Sequence, residues 1–313
     1  MVNLSVTRVL YIGGLGRSGT TLLERLLGEL PGVVALGEVV HLWQRDLRDG
    51  ERCGCGEPFH RCGFWQAVGQ AAFGGWEAVD VDRVLALRRS VERTRHLFRL
   101  ATGRPPARVR EYAGYYRRLY AAAARVTGAR LVVDSSKHSA LAWCLRHADL
   151  DLRVVHLLRD PRAVAYSWTR RVIRPESDRG EVMTRYRPAH TALLWNTQNA
   201  ALSLLARRGT PVLRLRYEEL VADPVAALRA VAGFAGLTVS DADLSFVNRF
   251  EAALGPGHSA AGNPMRFTVG VLPLRRDDAW RRRLLPRQRR LVGVVCAPLL
   301  PAYGYPLRSG VDR

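Results

Sequence analysis

The chain has 313 residues, 48% of them hydrophobic and 24% charged. That is enough for one large α/β domain or two small ones, and the composition excludes a disordered chain. No run of about 18 uncharged apolar residues occurs, so no transmembrane helix is expected. Against 28 Asp+Glu stand 48 Lys+Arg, a net charge of +20, which favours anionic partners such as nucleic acid, an anionic membrane or a polyanionic small ligand. All of that positive charge is arginine except Lys137, the single lysine; a compact ammonium suits places where a planar guanidinium fork does not fit. Met1 to Gly14 leave too little room for a secretory signal, so a cytoplasmic location is expected.

In chain order, Val9-Leu10-Tyr11-Ile12 reads as a buried parallel strand running into Gly13-Gly14. Thr20 and Thr21 open a helix with an apolar stripe of Leu22, Leu23, Leu26, Leu27 and Leu30, stopped by Pro31-Gly32. A second strand spans Val33 to Leu36 and ends at Gly37-Glu38. Residues 41–75 look irregular, rich in glycine, cysteine and aromatics. Helices are expected over 77–100 and 107–127, then a strand Leu131-Val132-Val133 leading into Asp134-Ser135-Ser136-Lys137, and a helix over 138–148. Val154 to Leu158 is a fourth strand ending at Arg159, and Asp160-Pro161 is a helix start, with Asp as cap and Pro at the first helical position. Residues 174–188 read as a polar, mobile loop. A helix over 189–207, a strand Val212 to Leu215, a helix over 224–235, a Gly/Pro-rich stretch 255–275 and a basic helix pair over 277–297 complete the pattern. Strands alternating with helices imply a mostly parallel central sheet flanked by helices, in one domain over 1–313 with insertions at about 41–130 and 174–188. Ligands of such sheets sit beyond the carboxyl ends of the strands. Glu38, Lys137, Arg159 and the loop 13–19 each follow a strand directly, so they are expected on one rim.

Gly14-Leu15-Gly16-Arg17-Ser18-Gly19-Thr20-Thr21 lies between a strand and a helix, the setting in which backbone N–H groups cradle an anion. Gly14 and Gly19 have the spacing of a Walker A loop, but Thr20 stands where its phosphate-binding lysine belongs. The segment Arg17 to Thr21 resembles the 5′-phosphosulfate loop of sulfotransferases that use 3′-phosphoadenosine 5′-phosphosulfate (PAPS). A second element of that family is similar to Leu158-Arg159-Asp160-Pro161-Arg162 followed by Ser167. A third is similar to Arg216-Tyr217-Glu218-Glu219-Leu220-Val221-Ala222-Asp223-Pro224, a structural element. The resemblance extends over about residues 9–300. It implies a P-loop NTPase-like three-layer fold and a phosphosulfate cradle of Arg17, Ser18, Gly19, Thr20 and Thr21. It also implies a 3′-phosphate site of Arg159 and Ser167. Such a donor carries negative charge at both ends of a nucleoside, and arginine and serine supply suitable donors for a phosphate.

Gly37-Glu38, followed by His41-Leu42-Trp43, resembles the tyrosylprotein and carbohydrate branches of the family, which use a glutamate base. Glu38 is therefore the expected catalytic base, with His41 as the runner-up. Lys137 matches a lysine of that branch that stabilises the transition state. Gly262-Asn263-Pro264-Met265-Arg266-Phe267 resembles a closing segment over the nucleotide, which makes Arg266 a candidate donor contact. The expected reaction is sulfuryl transfer to a hydroxyl of a small-molecule or glycan acceptor; carbohydrate, lipid, natural product and tyrosine all remain open. The alternative is a P-loop small-molecule kinase, against which the missing Walker lysine argues. A basic nucleic-acid-binding protein is a third class, but no recognition module is present and no nucleic-acid partner is expected. Cys53, Cys55 and Cys62 form C-x-C-x6-C. Zinc held by them with His60 or His41 has an unusual spacing, so packed free thiols are expected and no metal is assigned.

Overall fold

Five apolar runs pair into one parallel sheet: β1 (Arg8–Gly13), β2 (Val33–Ala35), β3 (Leu131–Lys137), β4 (Asp151–Leu158) and β5 (Val212–Arg216), in the order β2-β3-β1-β4-β5. The computed structural model describes residues 6–92, 105–173 and 182–308. Side chains alternate across the strands. Val9 and Tyr11 of β1 enter one core, with Val132, Val154 and the aromatic residues Trp43, Trp65, Tyr112 and Tyr116. Leu10 and Ile12 enter the other, with Val133, Val155, Leu157 and the leucines of α1 (Thr20–Gly28). A sheet buried on both faces explains why its strands read as continuous apolar runs rather than alternating ones.

The aromatic layer is carried by α2 (Gly63–Phe73), α3 (Val81–Val91) and α4 (Ala107–Thr127). Behind β3 and β4 lie α5 (Ser139–Leu145), α6 (Pro161–Thr169) and α7 (Pro188–Arg207). The second face is covered by α1, α8 (Tyr217–Ala222) and α9 (Pro224–Phe234). A two-stranded antiparallel ribbon, β6 (Glu251–Leu254) with β7 (Gly270–Pro273), precedes the C-terminal helices α10 (Trp280–Arg283) and α11 (Pro286–Cys296). Among the described residues no helix is long and apolar enough to cross a membrane.

Three differences from the sequence expectation have physical causes. Residues 63–73 form a helix rather than irregular chain: Trp65 and Val68 bury one stripe, and the left-handed Gly74 closes it. Strand β3 runs on through the polar Asp134-Ser135-Ser136-Lys137, all buried, because Asp134 Oδ1 accepts from Ser136 N (2.7 Å) and Oδ2 from the Tyr120 hydroxyl (2.5 Å), so the polar groups are satisfied. The stretch 255–275 holds β7 as well as loop. The expected helix end at 93–100, and 174–181 of the expected mobile loop, lie outside the described residues.

Candidate active site

The loop after β1 is shaped by left-handed backbone at Gly19 (φ 94°) and at Arg17 (φ 76°), a non-glycine residue. A Cβ on Gly19 would lie 2.6 Å from the Tyr217 ring, and one on Gly14 only 2.3 Å from the Leu157 carbonyl oxygen. The loop therefore presses flat against the ends of β4 and β5, a close approach that only glycine permits. Thr20 and Thr21 begin α1 and line a cavity of about 760 Å³. The cavity thus receives the N–H groups and the positive dipole end of that helix. Trp168 Nε1 donates to Gly16 O (2.9 Å), and the Arg17 guanidinium lies over the Trp168 ring at 5.3 Å.

At one end of the cavity stand Glu38 and Lys137. Gly37 (φ 80°) pairs with Ala260, and Glu38 N donates to Ala260 O (2.9 Å). These bonds point the Glu38 side chain from the end of β2 toward the end of β3. There Lys137, itself left-handed at φ 71°, donates its Nζ to Glu38 Oε1. Each side chain is only 11% exposed, so the two opposite charges offset each other's desolvation. Gly262 (φ 111°) packs against the same carboxylate: a Cβ there would lie 2.6 Å from Oε1. His41 Nε2 is 3.8 Å from Glu38 Oε2. Burial, then the charges of His138, Arg88 and Arg45, hold the His41 imidazole well below its usual basicity.

Beneath this end lie three buried carboxylates. Glu24 accepts from Ser259 Oγ (2.6 Å) and Ser135 Oγ (3.2 Å), and Asp46 from Ala261 N (3.3 Å). Burial lifts Asp46 and Asp134 to about 7 each, and raises Glu24 above the ordinary carboxyl range. They fix backbone and hydroxyl groups rather than facing the cavity.

At the other end stands Arg159, directly after β4 and only 6% exposed. Its guanidinium donates to Arg17 O (3.0 Å) and Asp277 O (3.1 Å), lies 3.3 Å from Asp277 Oδ2, and covers the Tyr217 ring at 4.3 Å. Its Nε is buried with no hydrogen-bond acceptor among the described residues. The next residues are structural. Asp160 caps α6 through Arg162 N (2.9 Å) and holds the Arg162 guanidinium at 2.8 and 2.7 Å. Trp195 Nε1 donates to Arg159 O (3.0 Å) and fixes the turn.

The cavity wall therefore gathers Arg17, Gly19, Thr20, Thr21, Glu38, Lys137 and Arg159. Ser18, within the loop, is buried and off the cavity wall. Ser167 is half-buried on α6 and lies off the cavity wall, although the neighbouring Trp168 lines it. Arg266 is fully buried and donates to Ser259 O (3.1 Å). Its guanidinium props the 259–267 segment, and the cavity is lined instead by Gly262, Asn263 and Met265. Tyr217, Asp277 and His138 line the cavity without having been singled out from the sequence. Tyr217 and His138 carried a usable signal, since each follows a strand directly. Neither His60 nor His41 joins the cysteines: His60 packs edge-on to Phe59, centroids 5.7 Å apart, and the imidazole beside the thiols is that of His258.

A parallel sheet with a glycine loop feeding a helix N-terminus, and one cavity that gathers cationic groups and a carboxylate beside a lysine, define a P-loop-type fold with a cleft suited to an anion. The model of the Sulfotransferase family matches residues 10–241, and the chain belongs to that family. Carbohydrate sulfotransferase 7 of Mus musculus is 34% identical over 209 residues, 54% of this chain and 42% of that protein. Carbohydrate sulfotransferase 2 of Homo sapiens is 28% identical over 203 residues, 53% of this chain and 37% of that protein. The matched stretch spans less than half the length of these relatives. Two solved domains share the fold. The sulfotransferase domain of the Synechococcus PCC 7002 olefin synthase has a TM-score of 0.50 at 22% identity, covering 96% of this chain and 95% of that one. The sulfotransferase domain from the curacin biosynthetic pathway has a TM-score of 0.53 at 16% identity, covering 96% and 99%.

Proposed function

We propose that the chain transfers the sulfuryl group of PAPS to an alcohol of a carbohydrate or other small-molecule acceptor, with Glu38 as the general base. The observation that carries this reading is the Lys137–Glu38 pair at one end of a cavity whose other end is Arg159, with the glycine loop between them. PAPS has anionic groups at the same two ends. The loop N–H groups, Thr20, Thr21 and Arg17 receive the phosphosulfate. Arg159 receives the 3′-phosphate through the fork now turned toward Asp277, and the family resemblance adds the hydroxyl of Ser167, which lies on α6 next to the cavity-lining Trp168. Arg266 is left out of the donor contacts because its guanidinium is buried beneath the segment.

In the reaction, Lys137 turns from Glu38 to the bridging oxygen of the phosphosulfate, leaving the carboxylate free to accept the acceptor's hydroxyl proton. The acceptor oxygen forms a bond to sulfur as the bond from sulfur to the bridging oxygen breaks. Adenosine 3′,5′-bisphosphate departs with that electron pair, its new charge met by Lys137 and the loop. The names of the relatives support a carbohydrate hydroxyl as acceptor. A kinase reading has weaker support: Thr20 stands at the lysine position, and the chain's one lysine is engaged with Glu38. Thermal stabilisation by adenosine 3′,5′-bisphosphate, set against ATP with Mg²⁺, tests the donor class. Labelled-sulfate transfer from PAPS across a panel of sugars, lipids and phenols then tests the acceptor. Arg159→Ala is expected to weaken PAPS roughly 10- to 150-fold, the worth of a lost charge-assisted bond, and to leave binding of adenosine 5′-phosphosulfate almost unchanged. Equal loss for both donors removes Arg159 from the 3′-phosphate site, and stabilisation by ATP alone overturns the reading.

A further inference from the structure

Outside the cavity, three thiols and an imidazole converge from two distant segments. Cys53 and Cys55 sit in the loop before α2, Cys62 immediately precedes that helix, and His258 comes from the chain between β6 and β7. Cys62 Sγ lies 3.6 Å from Cys53 Sγ, 3.8 Å from Cys55 Sγ and 3.3 Å from His258 Nδ1. Cys53 Sγ lies 3.7 Å from the same nitrogen, and all four atoms are within 4.8 Å of one another. A tetrahedral zinc site, with Zn–S about 2.3 Å and Zn–N about 2.1 Å, has S···S edges of roughly 3.8 Å and S···N edges of roughly 3.5 Å. The four distances fall on those edges. They do not fit a disulfide, whose sulfurs are about 2.05 Å apart, and packing thiols as small apolar groups gives no reason to bring an imidazole nitrogen among them.

The surroundings hold the imidazole in place. Trp65 Nε1 donates to His258 O (3.0 Å), and the Phe64 ring stacks on the His258 ring at 4.9 Å and 17°. The two segments also meet backbone to backbone. Gly54 N donates to Ser259 O (3.0 Å), and a Cβ on Gly54 would lie 2.9 Å from Gly257 O.

We propose that Cys53, Cys55, Cys62 and His258 bind one Zn²⁺ ion, a structural site that ties the 53–62 loop to the 258–262 segment behind Glu38. Three thiolates and a neutral imidazole complete four-coordination with no open position, so the ion is a clamp and not a second reaction centre. Binding sends three thiol protons to solvent and leaves the site with one net negative charge. The clamp acts two residues from the catalytic carboxylate's own support. Past His258, Ala260 takes the Glu38 N–H and donates to Leu36 O (2.8 Å), and Gly262 touches the Glu38 carboxylate. The metal site stands on its own geometry; only its link to turnover rests on the role proposed for Glu38.

The test is the metal content of the full chain purified from zinc-supplemented culture without chelators. About one zinc per chain is expected, retained through dialysis. Cys62→Ser and His258→Gln should lose it, whereas Cys144→Ala, which changes a buried thiol of the aromatic core, should keep it. Replacement by Co²⁺ should give the thiolate charge-transfer and intense visible bands of a tetrahedral site. The Co²⁺ spectrum of the unmodified chain decides the matter if the variants do not fold. Wild-type chain with no zinc and no such bands overturns the proposal, as does zinc retained in full by folded Cys62→Ser and His258→Gln, or a Cys55–Cys62 disulfide found by mass spectrometry. Zinc removal is expected to lower turnover while stabilisation by adenosine 3′,5′-bisphosphate persists. Unchanged turnover of the stripped enzyme removes the link to Glu38 and leaves the metal site standing. If the chain binds zinc but does not transfer sulfate, the function fails and the site survives.

Discussion

The two ends of the cavity hold their charges differently: the Arg159 guanidinium is fixed by backbone carbonyls, whereas Lys137 and Glu38 are held against each other. At the Arg159 end one local motif is fixed by distant segments: Asp160 locks Arg162 and caps the following helix, while Trp195 fixes the turn, Tyr217 supplies the surface beneath the Arg159 guanidinium, and Arg17 and Asp277 accept from its fork. At the Glu38 end the groups come from three segments about a hundred residues apart, held by left-handed backbone at Lys137 and Gly262 and by buried carboxylates. In the proposed reaction the first end would bind a fixed anion and need rigid donors. The second would let a proton and a cation move, and there the two charges sit against each other.

The sharpest way to break that contrast is at the carboxylate. Glu38→Gln keeps the shape and removes the base; turnover is expected to fall roughly 10²- to 10⁴-fold with donor binding little changed, as read by steady-state kinetics and titration of adenosine 3′,5′-bisphosphate. Unaltered turnover takes Glu38 out of the mechanism. Lys137→Ala should cost somewhat less, roughly 10²- to 10³-fold in kcat, in line with the loss of one electrostatic contact to a developing anion, and should weaken PAPS more than adenosine 3′,5′-bisphosphate. Gly262→Ala drives a methyl against Glu38 Oε1 at a positive φ. It is expected to lower kcat and to cost about 1–3 kcal/mol of stability. Gly128→Ala is the control, because it is also left-handed but meets nothing within 4 Å and should change melting temperature alone.

The smallest expected effect concerns the acids under the Glu38 end. Burial raises the folded-state value of Asp46 from 3.8 to about 7. Between those values the folded chain binds a proton that the unfolded chain has released. Its contribution to stability therefore declines as pH rises from about 4 to about 7 and is level above, with a slope of at most about 1.4 kcal/mol per pH unit. Asp46→Asn should flatten part of that decline in denaturant titrations across the window, leaving the share due to Asp134, which is shifted in the same direction. An identical pH profile in the variant means that Asp46 does not hold its proton.

What could be read from the sequence follows the same division. Each strand announces itself as an apolar run and ends in a chemically distinctive residue, so Glu38, Lys137, Arg159 and the glycine loop could be placed on one rim before any fold was known. The motif around Asp160 was legible because capping and pairing act between neighbours in the chain. Helix Gly63–Phe73 was hidden because its glycines and aromatics mask a narrow buried stripe. Arg266 was misplaced because a sequence does not show which way a guanidinium turns once its segment packs against Glu24 and Asp46. His258 could not be joined to Cys53, Cys55 and Cys62 because some 200 residues separate them, and only the meeting of two loops brings them together.

The solitary lysine has a practical corollary. In a chain whose other basic side chains are guanidinium or imidazole, one ε-amino group exists, and it is held against Glu38 beside the nucleotide loop. Among side-chain amines, acylating or aldehyde reagents that ordinarily decorate protein surfaces at random meet here a single ε-nitrogen, inside the cleft and distinguishable from the α-amino group. Amine-directed chemistry thereby becomes a probe of occupancy, with the proposed donor as the shield.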